Sequence, residues 1–121
     1  MLALPALLLL TGAAILGTLL GLNYLRGVRS KPVMIGFHLL LGGGGLEVMA
    51  MLLHGTPDRR IVPGGGLMTA AAACILAAMF TGLLAPLIGR QSRVVMNSAL
   101  IVHVTVAITG FTLLIAWAAS R

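Results

Sequence analysis

Four ionisable residues stand inside stretches that are otherwise apolar enough for lipid: His38, Glu47, His54 and His103. An ionisable side chain at membrane depth is costly, so each calls for a partner, a ligand or a function. Neutral imidazole ligates metals through a ring nitrogen, and its proton exchange falls near physiological pH. A carboxyl in lipid must pair, stay protonated, or face water or another subunit. Three of the four lie together in "GFHLLLGGGGLEVMAMLLHG", residues 36–55, around four consecutive glycines.

Helical geometry divides them. Residues 4, 7 and 11 further along a helix lie within about 40° of the first. From His38 these are Gly42, Gly45 and Met49; from His103 they are Ala107, Gly110 and Leu114, with Ala99 one turn back. Each of these two histidines therefore looks along a stripe of small residues. Glu47 and His54 are seven residues apart and share a face, roughly 160–180° from His38. The two pairs belong to different sites.

The elements that must position these side chains are transmembrane helices. Of the 121 residues, 60% are hydrophobic and 8% are charged, against about 25% charged in soluble domains. A spanning helix needs about 20 apolar residues. Four segments qualify, at 2–25, 32–54, 65–88 and 94–118. Pro32 suits the first turn of the second, and "RGVRSK", "GTPDRRIVPGG" and "GRQSR" break the spans. Loops this short make neighbouring helices antiparallel. The expected fold is all-α, a single four-helix transmembrane bundle over residues 1–121, up-down-up-down. The first segment has no basic leader and too long an apolar run for a cleavable signal, so it is expected to remain as a span.

Charge orients the bundle. Arg26, Arg29 and Lys31 follow the first span, and Arg90 and Arg93 follow the third. Arg59, Arg60 and Arg121 lie on the opposite side. The basic excess places the first and third loops in the cytoplasm and both termini on the outer, periplasmic side. The expected location is a bacterial inner membrane, with Trp117 at the outer interface and Tyr24 at the inner one.

Several functions are excluded. The formal net charge of +6 and pI near 11.6 come from only eight basic residues, with no aromatic platform to make a nucleic-acid surface. "GGGG" and "PGGG" lack the following Lys-Ser or Lys-Thr of a phosphate loop. GxSxG, HExxH and CxxC are absent, and two acids in all do not make an acid–base hydrolase. Seven scattered methionines form no copper path. Cys74 is single, so no intrachain disulfide forms, and it fits a small core position.

Depth then pairs the histidines. His38 lies about 9 Å and His103 about 13 Å from the starts of spans that run in the same direction. Two imidazoles at matched depth on parallel helices have the geometry of axial ligands to one haem iron, here haem b, held in a bundle core. Gly42, Gly45 and Gly110 would leave room for the flat macrocycle, and Arg29, Lys31, Arg90 and Arg93 would meet its propionates. The same glycines also suit close helix packing, and that alternative stays open. His54 lies about 33 Å along its span, at the outer boundary, with no histidine of the fourth span to match it. The Glu47/His54 face is assigned a proton, quinone or partner contact.

The glycine-rich His38 helix and the closing "NSALIVHVTVAITGFTLL" resemble the four-helix membrane b-type cytochromes, including the cytochrome b anchors of hydrogenases and dehydrogenases. A closing helix with His, six residues, then Gly is similar to theirs, with His103 and Gly110 in those places. The resemblance covers the second and fourth spans, about 45 residues. It implies axial ligation by His38 and His103 and electron transfer to or from quinone or a partner subunit. Members of that group often hold a second histidine pair, which this chain lacks, so a single haem is implied.

Two alternatives remain. One is a cofactor-free accessory or assembly subunit of a respiratory or photosynthetic membrane complex, which the one-sided Glu47/His54 face suits. The other is a pigment-binding subunit: "ALIVH" (99–103) and "AMLLH" (50–54) resemble the Ala-x-x-x-His bacteriochlorophyll sites of light-harvesting helices. A transporter would need more polar lining, and no inverted repeat is visible.

Overall fold

The computed structural model describes residues 3–54, 65–88 and 92–120. It contains four helices: α1 Leu4–Leu25, α2 Pro32–His54, α3 Gly65–Ile88 and α4 Arg93–Ala119. All four are long and apolar enough to cross a membrane. At 1.5 Å per residue, even the shortest, with 22 residues, spans about 33 Å, enough for a hydrocarbon core of about 30 Å. Only 11% to 22% of each span's apolar window is buried. The rest of the apolar surface suits lipid. Arg59, Arg60, Arg90 and Arg121, which carry much of the expected orientation, lie outside the described residues.

Local chemistry sets the ends. α1 stops in a Schellman motif. Gly27 takes φ +68°, the Val28 N–H donates to Asn23 O at 2.8 Å, and the Gly27 N–H donates to Tyr24 O at 3.1 Å. These bonds satisfy carbonyls that a helix terminus otherwise orphans in a dry medium. The Asn23 amide reaches the Ser30 hydroxyl at 3.4 Å across the turn. α2 begins at Pro32, where the missing N–H costs nothing. α4 starts one residue before the expected boundary, after the extended Ser92.

Six hydroxyls inside the spans are satisfied within their own helices. Thr18, Thr69, Thr81, Ser98, Thr109 and Thr112 each donate to a carbonyl four residues back, at 2.8 to 3.1 Å. Such back-bonding is how isolated hydroxyls persist without water.

The chain divides into two compact units, Met1–Met49 and Ala50–Arg121, the division falling within α2. In the first, α1 and α2 run antiparallel. Leu10 lies against Gly45, Leu41 against Gly12, and His38 against Gly17. The buried residues of α1 are Ala6, Leu10 and Ala13; those of α2 are Gly45 and Met49. In the second, α3 and α4 also run antiparallel, with His103 against Gly82 and Gly110 against Ala71, Cys74 and Ile75. Met68, Ala71, Ile75, Ala78 and Ala85 are buried on α3, and Gly110, Leu114 and Trp117 on α4. The alternating steps of four and three keep one narrow stripe toward the neighbour. Small residues there let backbones approach, as membrane helix pairs require.

Trp117 is 3% exposed, so it is packed rather than displayed in an aromatic belt. It lies three residues after Leu114 and seven after Gly110, which puts it on their packed face. Tyr24 is exposed, near the end of α1.

Candidate functional site

His38 faces α1, as Gly45 one face-repeat along α2 also does. Its Nδ1 lies 2.8 Å from the carbonyl oxygen of Ala13. His103 does the same within its own unit, with Nδ1 2.7 Å from the carbonyl oxygen of Ala78 on α3. A carbonyl only accepts, so in each contact Nδ1 is the donor. For a neutral ring this fixes the Nδ1–H tautomer and leaves the lone pair on Nε2. Each imidazole is half-buried.

One turn beyond each accepting alanine stands a glycine. A Cβ built on Gly17 would lie 2.9 Å from His38 Cε1, and one on Gly82 would lie 2.8 Å from His103 Cε1. Each ring therefore occupies the space a side chain would fill. Ala13, Gly17, Ala78 and Gly82 are contacts of the two rings that reading each histidine along its own helix missed.

A signal for them was present in the sequence. Ala6, Ala13, Gly17, His38 and Gly45 recur as Ala71, Ala78, Gly82, His103 and Gly110, each 65 residues later. This is a direct repeat, not the inverted repeat of transporters. The structure repeats with it, since both histidines donate from Nδ1 to an alanine carbonyl at the same separation of 25 residues. Buried apolar positions also match in place: Leu10 with Ile75, and Met49 with Leu114. Each unit carries a histidine-bearing hairpin with the same anchor pattern.

The glycines expected to make room separate by environment. A Cβ on Gly45 would meet Leu10 at 2.7 Å. One on Gly110 would meet the Cys74 Cβ and Ile75 Cδ1 at 2.9 Å and the Ala71 carbonyl at 3.1 Å. The relief at these two is filled by the hairpin's other helix. Gly42 has nothing within 4 Å of its built Cβ, so its surface is open.

Glu47 and His54 are exposed on α2, while Gly45 and Met49 are buried. The two faces separated by helical geometry are therefore distinct in the folded chain. His54 Nδ1 lies 3.0 Å from the carbonyl of Ala50 in its own helix. Its last-turn position lets the ring cap a carbonyl near the helix end.

Among the described residues no group of three or more His, Cys, Asp or Glu converges to hold a bare metal ion. A haem needs less from the protein, one or two axial nitrogens, because its macrocycle supplies the other ligands. The donor set here fits that demand. Two imidazoles each have Nδ1 engaged by a backbone carbonyl, the outer-shell arrangement typical of metal-ligating histidine. No protein-family model, curated protein or solved structure matches the chain.

Proposed function

We propose that the protein is a membrane b-type cytochrome-like subunit that takes part in electron transfer. One haem b is held between α2 and α4 by His38 and His103, in an up-down-up-down bundle of a bacterial inner membrane with both termini outside. The observation that carries this reading is the identical anchoring of the two imidazoles, Nδ1 to carbonyl at 2.8 and 2.7 Å. When bound, haem supplies a one-electron iron couple.

The chain's own residues do the rest. The Ala13 and Ala78 carbonyls hold each ring in the tautomer whose Nε2 lone pair can ligate. They also add electron density to the imidazole, which favours the oxidised metal. Gly42 offers an open surface beside His38's helix. Arg26, Arg29 and Lys31 are exposed after α1, on the side where propionates would find cations. No bond is made or broken by the protein. One electron enters from a donor and one leaves to quinone or a partner subunit.

The test is an absorption spectrum of protein purified from its native membrane. A Soret band and a sharp reduced α-band are expected, both lost in His38→Ala and in His103→Ala. Protein purified without any chromophore would refute the haem reading. Far-red bands instead would replace haem with a bacteriochlorophyll.

A second reading, an accessory subunit that docks on a larger complex, is favoured by one observation. Glu47 is an exposed carboxyl on a helix with mostly apolar neighbours. Such a residue in lipid calls for a donor from another subunit or a quinone headgroup. This role is compatible with haem binding, because Glu47 lies off the His38 face.

A further inference from the structure

The sequence motif around each histidine leaves a question that ligation alone does not answer. Glycine is poor in helix interiors, and α1 and α3 have glycine opposite the imidazole at the same repeat position. Helix packing in general does not account for the pair. Gly21, one turn further along α1, has nothing within 4 Å of its built Cβ. At Gly17 the three nearest atoms to such a Cβ all belong to His38: Cε1 at 2.9 Å, Nδ1 at 3.4 Å and Nε2 at 3.8 Å. At Gly82 the three nearest all belong to His103: Cε1 at 2.8 Å, Nδ1 at 2.9 Å and Nε2 at 3.6 Å.

We propose that Gly17 and Gly82 are paired positioning residues, each reserving the space in which one imidazole lies so that its Nδ1–H reaches the carbonyl one turn earlier. The direction and tautomer of both rings are then set by α1 and α3, not by the helices that carry the histidines. A methyl group at either glycine meets the movable end of a side chain, not backbone. The hairpin therefore persists while the ring is pushed off its carbonyl. The two copies make the device testable twice in one molecule. The inference rests on the haem reading only for its purpose. The anchoring of the rings is a property of the chain with or without a cofactor.

The experiment uses the full chain in lipid nanodiscs with 15N-labelled histidine, in a His54→Ala background so that only His38 and His103 report. Both rings are expected as the Nδ1–H neutral tautomer. Gly17→Ala is expected to convert His38 alone to a mixed or exchanging signal, and Gly82→Ala His103 alone. Gly21→Ala is expected to leave both unchanged. If Gly17→Ala and Gly82→Ala leave the tautomers intact, the proposal is overturned.

A stability cycle covers the case of poorly behaved variants. The effect of Gly17→Ala on the unfolding equilibrium should differ by about 3- to 10-fold between wild type and His38→Ala, the range for one lost hydrogen bond. An equal effect in both backgrounds would make Gly17 a general packing residue and end the proposal. Where the protein carries haem, each glycine variant should lose roughly 10- to 100-fold in haem affinity, as outer-shell changes do. Intact tautomer control in a protein that never binds haem would refute the haem reading and leave this one standing.

Discussion

Replacing Gly42 and Gly110 by alanine, one at a time, tests whether the small residues on the histidine faces are open or filled. The two substitutions share one term and differ in another. Alanine in place of a helix-interior glycine gains about 0.5–1 kcal/mol from backbone entropy. At Gly42 nothing lies within 4 Å of the new Cβ, so that gain is the whole expected effect and the variant should be stabilised. At Gly110 the new Cβ would stand 2.9 Å from the Cys74 Cβ and 3.1 Å from the Ala71 carbonyl oxygen. Both atoms are fixed to the backbone of α3, so relief requires the helices to part. Overpacking of this kind costs about 1–3 kcal/mol. The shared gain cancels in the comparison. The two variants should therefore differ by about 1–3 kcal/mol, roughly 5- to 150-fold in the unfolding equilibrium.

The assay is reversible unfolding of detergent-solubilised protein by increasing SDS, with helix content as the signal. Equal stabilities for the two variants would show that α3 and α4 do not meet closely at Gly110. The interpretation of that glycine as a packing contact would then fail. A second readout separates packing from cofactor. If Gly42 borders the haem plane, Gly42→Ala lowers haem content while raising the stability of haem-free protein.

The two hairpins differ at one point of the anchor. Thr81 donates to the same Ala78 carbonyl that accepts from His103, at 3.0 Å, and the matching position in the first hairpin is Leu16. Thr81→Val should relieve this competition and strengthen the His103 contact, seen as a downfield shift of its Nδ1–H proton; no shift, or an upfield one, counts against competition. For Glu47, Glu47→Gln is expected to weaken co-purification with partner subunits or reduction by a quinol analogue, leaving the haem spectrum unchanged. Loss of the spectrum in that variant would contradict the separation of the two faces.

The spans were legible because the bilayer imposes a length and a composition that little else does. Pro32 marked the start of α2 to the residue, and α4 fell within one residue of its expected ends. The split of residues 36–55 into two faces was also legible, since 3.6 residues per turn needs no tertiary information. The anchoring of the histidines was not. Periodicity along one helix says which residues share a face, but it does not say which residue of a neighbouring helix that face meets. That depends on the register of the hairpin, which the turn at Gly27 sets. The stripe from His38 through Gly45 therefore suggested room for a cofactor, while Leu10 fills it at Gly45. Only Gly42 remains open.

The repeat shows which residues hold each ring. A two-helix unit in lipid has few ways to hold a polar ring: it must hydrogen-bond the ring internally and leave space for it. The Ala-x-x-x-Gly pair on the first helix of each hairpin does both, and those residues recur with the histidine at the same offset. The positions that break the repeat then locate whatever is one-sided about the protein. Glu47 corresponds to Thr112, and His54 to Ala119. Thr112 satisfies itself on the Ile108 carbonyl at 2.8 Å, which a carboxylate, having no donor, cannot do. A carboxyl at this position in only one copy is what the proposed partner contact of the first hairpin requires. The repeat thus places a histidine anchor in each hairpin and the Glu47 carboxyl in the first alone.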